Sequence, residues 1–164
     1  ESLRQYHTHS SSNNNSMIDA TSPAAAETIS LEANLMFSVD FDTETPILAG
    51  SRCIVGIKHG GKVYGPKLNG IMCQPSSDWI TLKKDGVVCL YVNVVVNTDD
   101  GVHLYYKFEG ISTREPDNPS NSTIRGFATF ETDAERYKYL NKKVLFGKGT
   151  KTGGNIKIDY YDIE

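Results

Sequence analysis

Cysteine is scarce in this chain: Cys53, Cys73 and Cys89 are an odd set in spacings that match no metal or disulfide motif. Such usage excludes a disulfide-stapled secreted scaffold and fits reduced thiols in a cytoplasmic protein. Positive charge is not in excess, since 17 Lys and Arg against 20 Asp and Glu leave a net charge of −3. A nucleic-acid reader needs a basic field to displace counterions from phosphates, so no nucleic acid is expected as a partner. Long apolar runs are missing too. The longest, over residues 87–96, is interrupted by Asn93 and is about half the roughly 20 residues a membrane helix requires, so no membrane is expected either. No secretory signal is visible, which again points to the cytoplasm. The common catalytic signatures are also lacking: there is no Gly-x-Ser-x-Gly elbow, phosphate-binding glycine loop, His-Glu-x-x-His or Cys-x-x-Cys. No cofactor and no metal are expected.

What is present suffices for one packed domain. Hydrophobic residues make up 38% and charged residues 23% of 164 residues, a length typical of a single domain. Residues 1–27 differ from the rest. They hold the tract Ser-Ser-Ser-Asn-Asn-Asn-Ser and lack apolar periodicity, so they read as a flexible polar arm that cannot offset its ordering entropy. Residues 28–164 read as a β domain. Ile29, Leu31, Ala33, Leu35 and Phe37 alternate with polar or small residues, as in a half-buried strand. Further strands are predicted over residues 51–58, 62–73, 78–82, 87–97, 102–111, 124–131, 142–146 and 155–162. Their separators carry glycine-containing turns such as His59-Gly60-Gly61 and Asp99-Asp100-Gly101. Residues 112–123, with Pro116 and Pro119, read as a mobile surface loop. One helix is predicted, opened by the capping box Thr132-x-x-Glu135 and running to about Leu140. About nine strands, short hairpin loops and one helix fit a closed antiparallel β-barrel, which leaves no bare edge. A sandwich is the alternative.

The hairpin over residues 91–109 is the most informative segment. Asp99-Asp100-Gly101 suits a three-residue loop with glycine in the left-handed conformation. That register sets Asn93 opposite Lys107 and Val95 opposite Tyr105. Strict alternation then separates an apolar face, with Val92, Val94, Leu104, Tyr106 and Phe108, from a second face. The second face carries Tyr91, Asn93, Val95, Asn97, His103, Tyr105, Lys107 and Glu109. Either face can line the barrel. General statistics place the apolar face inside. The cost of exposing Tyr91, Tyr105 and Val95 argues for the other.

One ordered set of motifs identifies a relative. It begins with Gly60-Gly61-Lys62-Val63-Tyr64-Gly65-Pro66-Lys67-Leu68-Asn69-Gly70, followed by Ser77-Asp78-Trp79, Asp85-Gly86 and Asn97-Thr98-Asp99-Asp100-Gly101. Tyr105, Phe130-Glu131-Thr132, Tyr139-Leu140-Asn141 and Ile158-Asp159-Tyr160-Tyr161 complete it. From about Leu31 to Ile163 the chain resembles the domain-of-unknown-function family DUF3237. The resemblance implies a small β-barrel similar to allene oxide cyclases and dirigent-like proteins, some of which steer cyclisations, and it places the family's polar strand residues on the second face. It implies no settled reaction. Two departures stand out: the family's Asp-x-Arg pair is Tyr91 and Asn93 here, and the tryptophan before Leu-Asn is Tyr139. A less charged, more aromatic ligand is implied.

Together these readings predict a cofactor-independent cyclase or isomerase acting on a small natural product in the barrel lumen. The alternatives are a carrier that binds without turnover and a structural barrel filled by its own side chains. Tyr105 and Lys107 are the expected catalytic pair, the phenol as proton donor and the amine, its pKa pulled down by desolvation, as base. Tyr64, Trp79, Tyr91, Asn93, His103 and Arg125 are the expected substrate-binding residues, the aromatics as walls and Asn93 as an orienting amide. Arg125 shares its strand face with Phe127, Thr129 and Glu131, which equally suits a solvated surface. A homodimer is expected if the apolar hairpin face points outward and must be covered.

Overall fold

The computed structural model describes residues 28–164, so the expected arm over residues 1–27 lies outside the described residues. Ten strands and one short 3₁₀ helix make up the fold: β1 (Ala33–Asp42), β2 (Ile47–Ala49), β3 (Arg52–Gly56), β4 (Lys62–Tyr64), β5 (Gly70–Leu82), β6 (Val88–Thr98), β7 (His103–Glu115), β8 (Asn118–Glu131), the helix Glu135–Lys142, β9 (Leu145–Thr152) and β10 (Asn155–Ile163). All pairings are antiparallel. β5 pairs with β6 and thereby closes the eight-stranded ring β1-β4-β5-β6-β7-β8-β9-β10. The β2–β3 hairpin extends beside the second half of β5. Closure leaves no edge within the ring, and the expected barrel is the observed one.

The hairpin of β6 and β7 has the register read from its loop: Asn93 faces Lys107 and Val95 faces Tyr105. Gly101 takes φ +82° there, a conformation that costs glycine nothing. Inside the ring lie Val92, Val94, Leu104, Tyr106 and Phe108, each buried. Across the next strands the lumen-facing positions Gly110, Gly126 and Gly147 form one rung, ending at Tyr160. Their lack of side chains makes room for the Phe108 ring: a Cβ on Gly126 would lie 2.7 Å from its Cζ and one on Gly147 2.7 Å from its Cε2. The aromatic core then runs from Phe108 through Tyr160 and Phe37 to Tyr106 and Phe130 by stacked, tilted and edge contacts, with centroids 4.7–6.3 Å apart.

Four local expectations change. Residues 62–73 do not form one strand, because the chain turns out at Gly65-Pro66, where the Asn69 amide bonds both backbone groups of Gly65 (3.1 and 2.9 Å) in place of a partner strand. Residues 70–82 instead form one long strand, bent where the register shifts between Cys73 and Ser77. There Ser76 Oγ donates to the Cys73 carbonyl and accepts from Val95 N–H. The loop over residues 112–123 is a hairpin, with β7 reaching Glu115 and β8 starting at Asn118. Finally, the capping box does not form. Thr132 Oγ1 accepts from Ala134 N–H and the Asn141 amide brackets the Thr132 backbone. Buried Tyr137 and Leu140 are three residues apart, the period of a 3₁₀ helix rather than an α-helix.

Candidate functional site

The two ends of the barrel are built differently. At one end the 3₁₀ helix joins β8 to β9 and inserts Leu140, fully buried, while the Tyr137 hydroxyl donates to Asp100 at the β6–β7 tip (2.8 Å). Thr98 Oγ1 (2.6 Å) and Arg136 (3.1 Å) donate to the same carboxylate, and these donors, Thr98 first, hold the Asp100 pKa below its ordinary value. That end is plugged. At the other end, where β5, β7 and β9 finish, the core is incomplete and a cavity of about 210 Å³ remains. It exceeds the roughly 150 Å³ that accommodates benzene in an apolar protein cavity and falls below the roughly 300 Å³ of pockets for drug-sized ligands. A compact molecule of one ring with a short substituent fits. A larger groove, about 800 Å³, passes Asn34, Lys67 and Arg136 on the outside, but its walls are charged and open, and it lacks the apolar enclosure that gives small ligands their affinity.

Mostly aliphatic and aromatic side chains wall the cavity, among them Val55, Ile80, Leu90 and Phe108. The single acid among the lining residues is Asp78. It sits on β5 in alternation with Ile80 and Leu82, which turns it inward with them. Only 8% of Asp78 is exposed, and its Oδ1 accepts the Tyr91 backbone N–H at 3.0 Å. Burial drives its pKa up to about 6, against the pull of that hydrogen bond and of Lys151. A carboxyl in this range exchanges protons near neutral pH.

Two phenols complete the inner polar set. Tyr106 and Tyr160 both line the cavity and are fully buried, their rings meeting edge-on with centroids 5.8 Å apart. Burial raises both far above ordinary phenols, so they remain protonated donors. Each hydroxyl carries a proton that it can donate to a ligand oxygen. Nearer the open end the lining residues Ser112, Ser122, Arg114 and Lys151 are polar.

The expected site residues stand elsewhere. The face carrying Asn93, Tyr105 and Lys107 points out of the barrel, and the apolar face lines it, the reverse of the expected lumen assignment. Exposing Tyr91 and Tyr105 costs less than burying Lys107 and Glu109 would, so the ordinary statistics prevail. Tyr64, Trp79 and Tyr91 are each between 44% and 48% exposed, and His103 and Arg125 are exposed as well. The Tyr105 hydroxyl donates to Asn93 Oδ1 at 2.6 Å, and His103 and Tyr105 line a shallow outer groove. Lys107 pairs with Glu109 (3.0 Å), and that hydrogen bond raises its pKa rather than lowering it. Tyr64 and Trp79 lie on different stretches, β4 and the second half of β5. None of the eight lines the lumen cavity.

Sequence reasoning missed Asp78, although a signal was available: an acid in phase with Ile80 and Leu82 occupies an apolar face. It missed Arg114 and Ser122 because two prolines made their segment read as a loop.

Known proteins show the same architecture. A UPF0311 protein of Clostridium acetobutylicum is 27% identical over 145 residues, covering 78% of this chain and 91% of the relative. The crystal structure of a conserved protein of unknown function from Rhodopseudomonas palustris superposes with a TM-score of 0.76 at 22% identity, over 84% of this chain and all of the other. An enzyme from Penicillium herquei superposes with a TM-score of 0.61 at 15% identity, over 86% of this chain and all of the other. At these identities the solved structures establish the barrel and nothing about chemistry. The model of one family, described as protein of unknown function, matches residues 23–163, and the chain belongs to that family, DUF3237.

Proposed function

We propose that this protein is a cofactor-independent isomerase or cyclase that moves a proton on a small natural-product substrate held in the lumen. The observation that carries the reading is Asp78, the single acid among the lining residues, buried in the wall of a mostly apolar cavity. With its pKa near 6 it is mainly ionised at pH 7, able to take a proton from carbon and return it as the acid. The buried hydroxyls of Tyr106 and Tyr160 supply O–H donors for the carbonyl oxygen as it gains negative charge. The enclosed walls fix a flexible substrate in one conformation and remove the entropy of reaching it. That one barrel of similar shape is described as an enzyme supports the reading without naming a reaction.

The test is proton exchange at carbon. A panel of monocyclic ketones and enones is incubated in D2O with substoichiometric protein and followed by proton NMR. Deuterium appears beside the carbonyl of at least one compound with the wild type and not with Asp78→Asn. Compounds that bind without exchange make the protein a carrier. The outer residues enter the same assay: loss of exchange in Tyr105→Phe, with Asp78→Asn active, moves the chemistry to the outer face around Asn93, His103 and Lys107.

A further inference from the structure

The cavity's open end carries a charge that the proposed reaction does not use. Arg114 on β7 faces Ser122 on β8, and Ser122 faces Lys151 on β9. All three line the cavity, so one rung of the barrel presents a guanidinium, a hydroxyl and an ammonium toward its mouth. Two strand spacings, about 10 Å, separate the backbones of the two cations. Among the described residues neither cation has a carboxylate within ion-pair distance. Five other cations, Lys107, Arg136, Lys138, Lys143 and Lys157, pair with acids, and the remaining described Lys and Arg do not; Arg114 and Lys151 are set apart by lining the cavity. With Ser122 between them, the two cations leave room for an anion that meets both.

We propose that Arg114 and Lys151 clamp the carboxylate of the substrate, which is therefore a compact organic acid with its apolar ring in the lumen and its carboxylate at the mouth. The proposal rests on the lumen reading above and adds the substrate class to it. A guanidinium offers a planar fork that matches a carboxylate bidentately, and Lys151 and the Ser122 hydroxyl can satisfy its remaining lone pairs. The position of the charge also suits the cavity volume. A ring with a short chain occupies the enclosed space, and its ionised end stays where water still reaches it, which avoids the cost of burying an anion.

The experiment is calorimetric titration of the full chain at pH 8 in low salt, with 3-phenylpropionate and its neutral isostere 3-phenylpropanamide. The acid binds at least about tenfold more tightly than the amide, and raising sodium chloride from about 50 to 500 mM removes most of the difference, as screening at the exposed mouth requires. In the Arg114→Gln/Lys151→Gln double variant, altered only at exposed positions, the acid falls to the affinity of the amide and the amide is unchanged. Equal binding of the two probes by the wild type, or a preference for the acid that survives in the double variant, overturns the clamp and leaves the lumen reading standing. Binding of neither probe overturns both.

Discussion

Replacing Asp78 by Asn should stabilise the protein at alkaline pH while abolishing its proton transfer. Asn keeps the oxygen that accepts Tyr91 N–H and the shape of the side chain, and it removes the capacity to ionise. The folded carboxyl has a pKa of about 6 against an ordinary 3.8, so folding binds a proton that the unfolded chain releases. With the folded value raised, the contribution is complete below pH 3.8 and is lost as the pH rises through 6. At 1.36 kcal/mol per unit the wild type forfeits about 3 kcal/mol in all, of which about 2–3 kcal/mol falls between pH 4 and pH 8. Urea unfolding of both proteins across that range gives the assay. Every other titrating group is common to the two, so the stability difference isolates Asp78. It should move in favour of the variant by about 2–3 kcal/mol from pH 4 to pH 8, or roughly 5–10 °C in Tm for a domain of this size. The new amide N–H group facing the apolar wall shifts the whole curve down by up to about 1–2 kcal/mol without changing its slope. A flat difference curve would refute the reasoning: Asp78 would then titrate as an ordinary acid and could not be the proton-transfer group.

Four further outcomes are expected. Tyr106→Phe and Tyr160→Phe, which keep the ring packing and remove one cavity hydroxyl each, should each change stability by less than about 1.5 kcal/mol in urea melts and slow the deuterium exchange at least about tenfold. Gly126→Val should abolish folding or leave a molten state by near-UV circular dichroism, because a Cβ there would sit 2.3 Å from the Glu109 carbonyl oxygen as well as against Phe108; a native-like spectrum would show that the rung has slack. Tyr105→Phe, which removes only the outer hydrogen bond to Asn93, should change stability by less than about 1 kcal/mol and leave binding of 3-phenylpropionate intact by calorimetry. The apolar hairpin face on which the expected homodimer depends lies inside the ring, so a dimer needs another surface. We propose that a second copy covers the outer rung through Tyr91, Glu109, Phe127 and Phe146, where Phe127 is 55% exposed, so light scattering should report twice the chain mass and Phe127→Asp the single mass, and a monomeric wild type would refute the dimer.

The hairpin of β6 and β7 shows how much was legible in advance. Its loop chemistry dictated the register, and the register with period-two alternation dictated the two faces; both follow from backbone geometry within some twenty residues. The family resemblance, held in motifs from Gly60 to Tyr161, supplied the barrel. Local chemistry was a poorer guide where long-range contacts override it. Thr132 and Glu135 spell a capping box, but Asn141 and Asp100 hold that segment as a 3₁₀ plug. Pro116 and Pro119 suggested a loop, yet pairing with β7 at Asn118 and with β9 from Asn121 onward keeps β8 extended.

The sequence by itself determined most of the strands, the β6–β7 register and the division of that hairpin into two faces, because those depend on neighbours along the chain. Which face turned inward was decided only by closure of the ring. Packing Phe108 over Gly110, Gly126 and Gly147 consumes the lumen near Tyr160, and the helix plug fills the end beyond it. The space left over is bordered by Asp78, Tyr106 and Tyr160, from three strands that are remote in sequence. No local pattern records that they meet, since a cavity is what remains when distant side chains have finished packing.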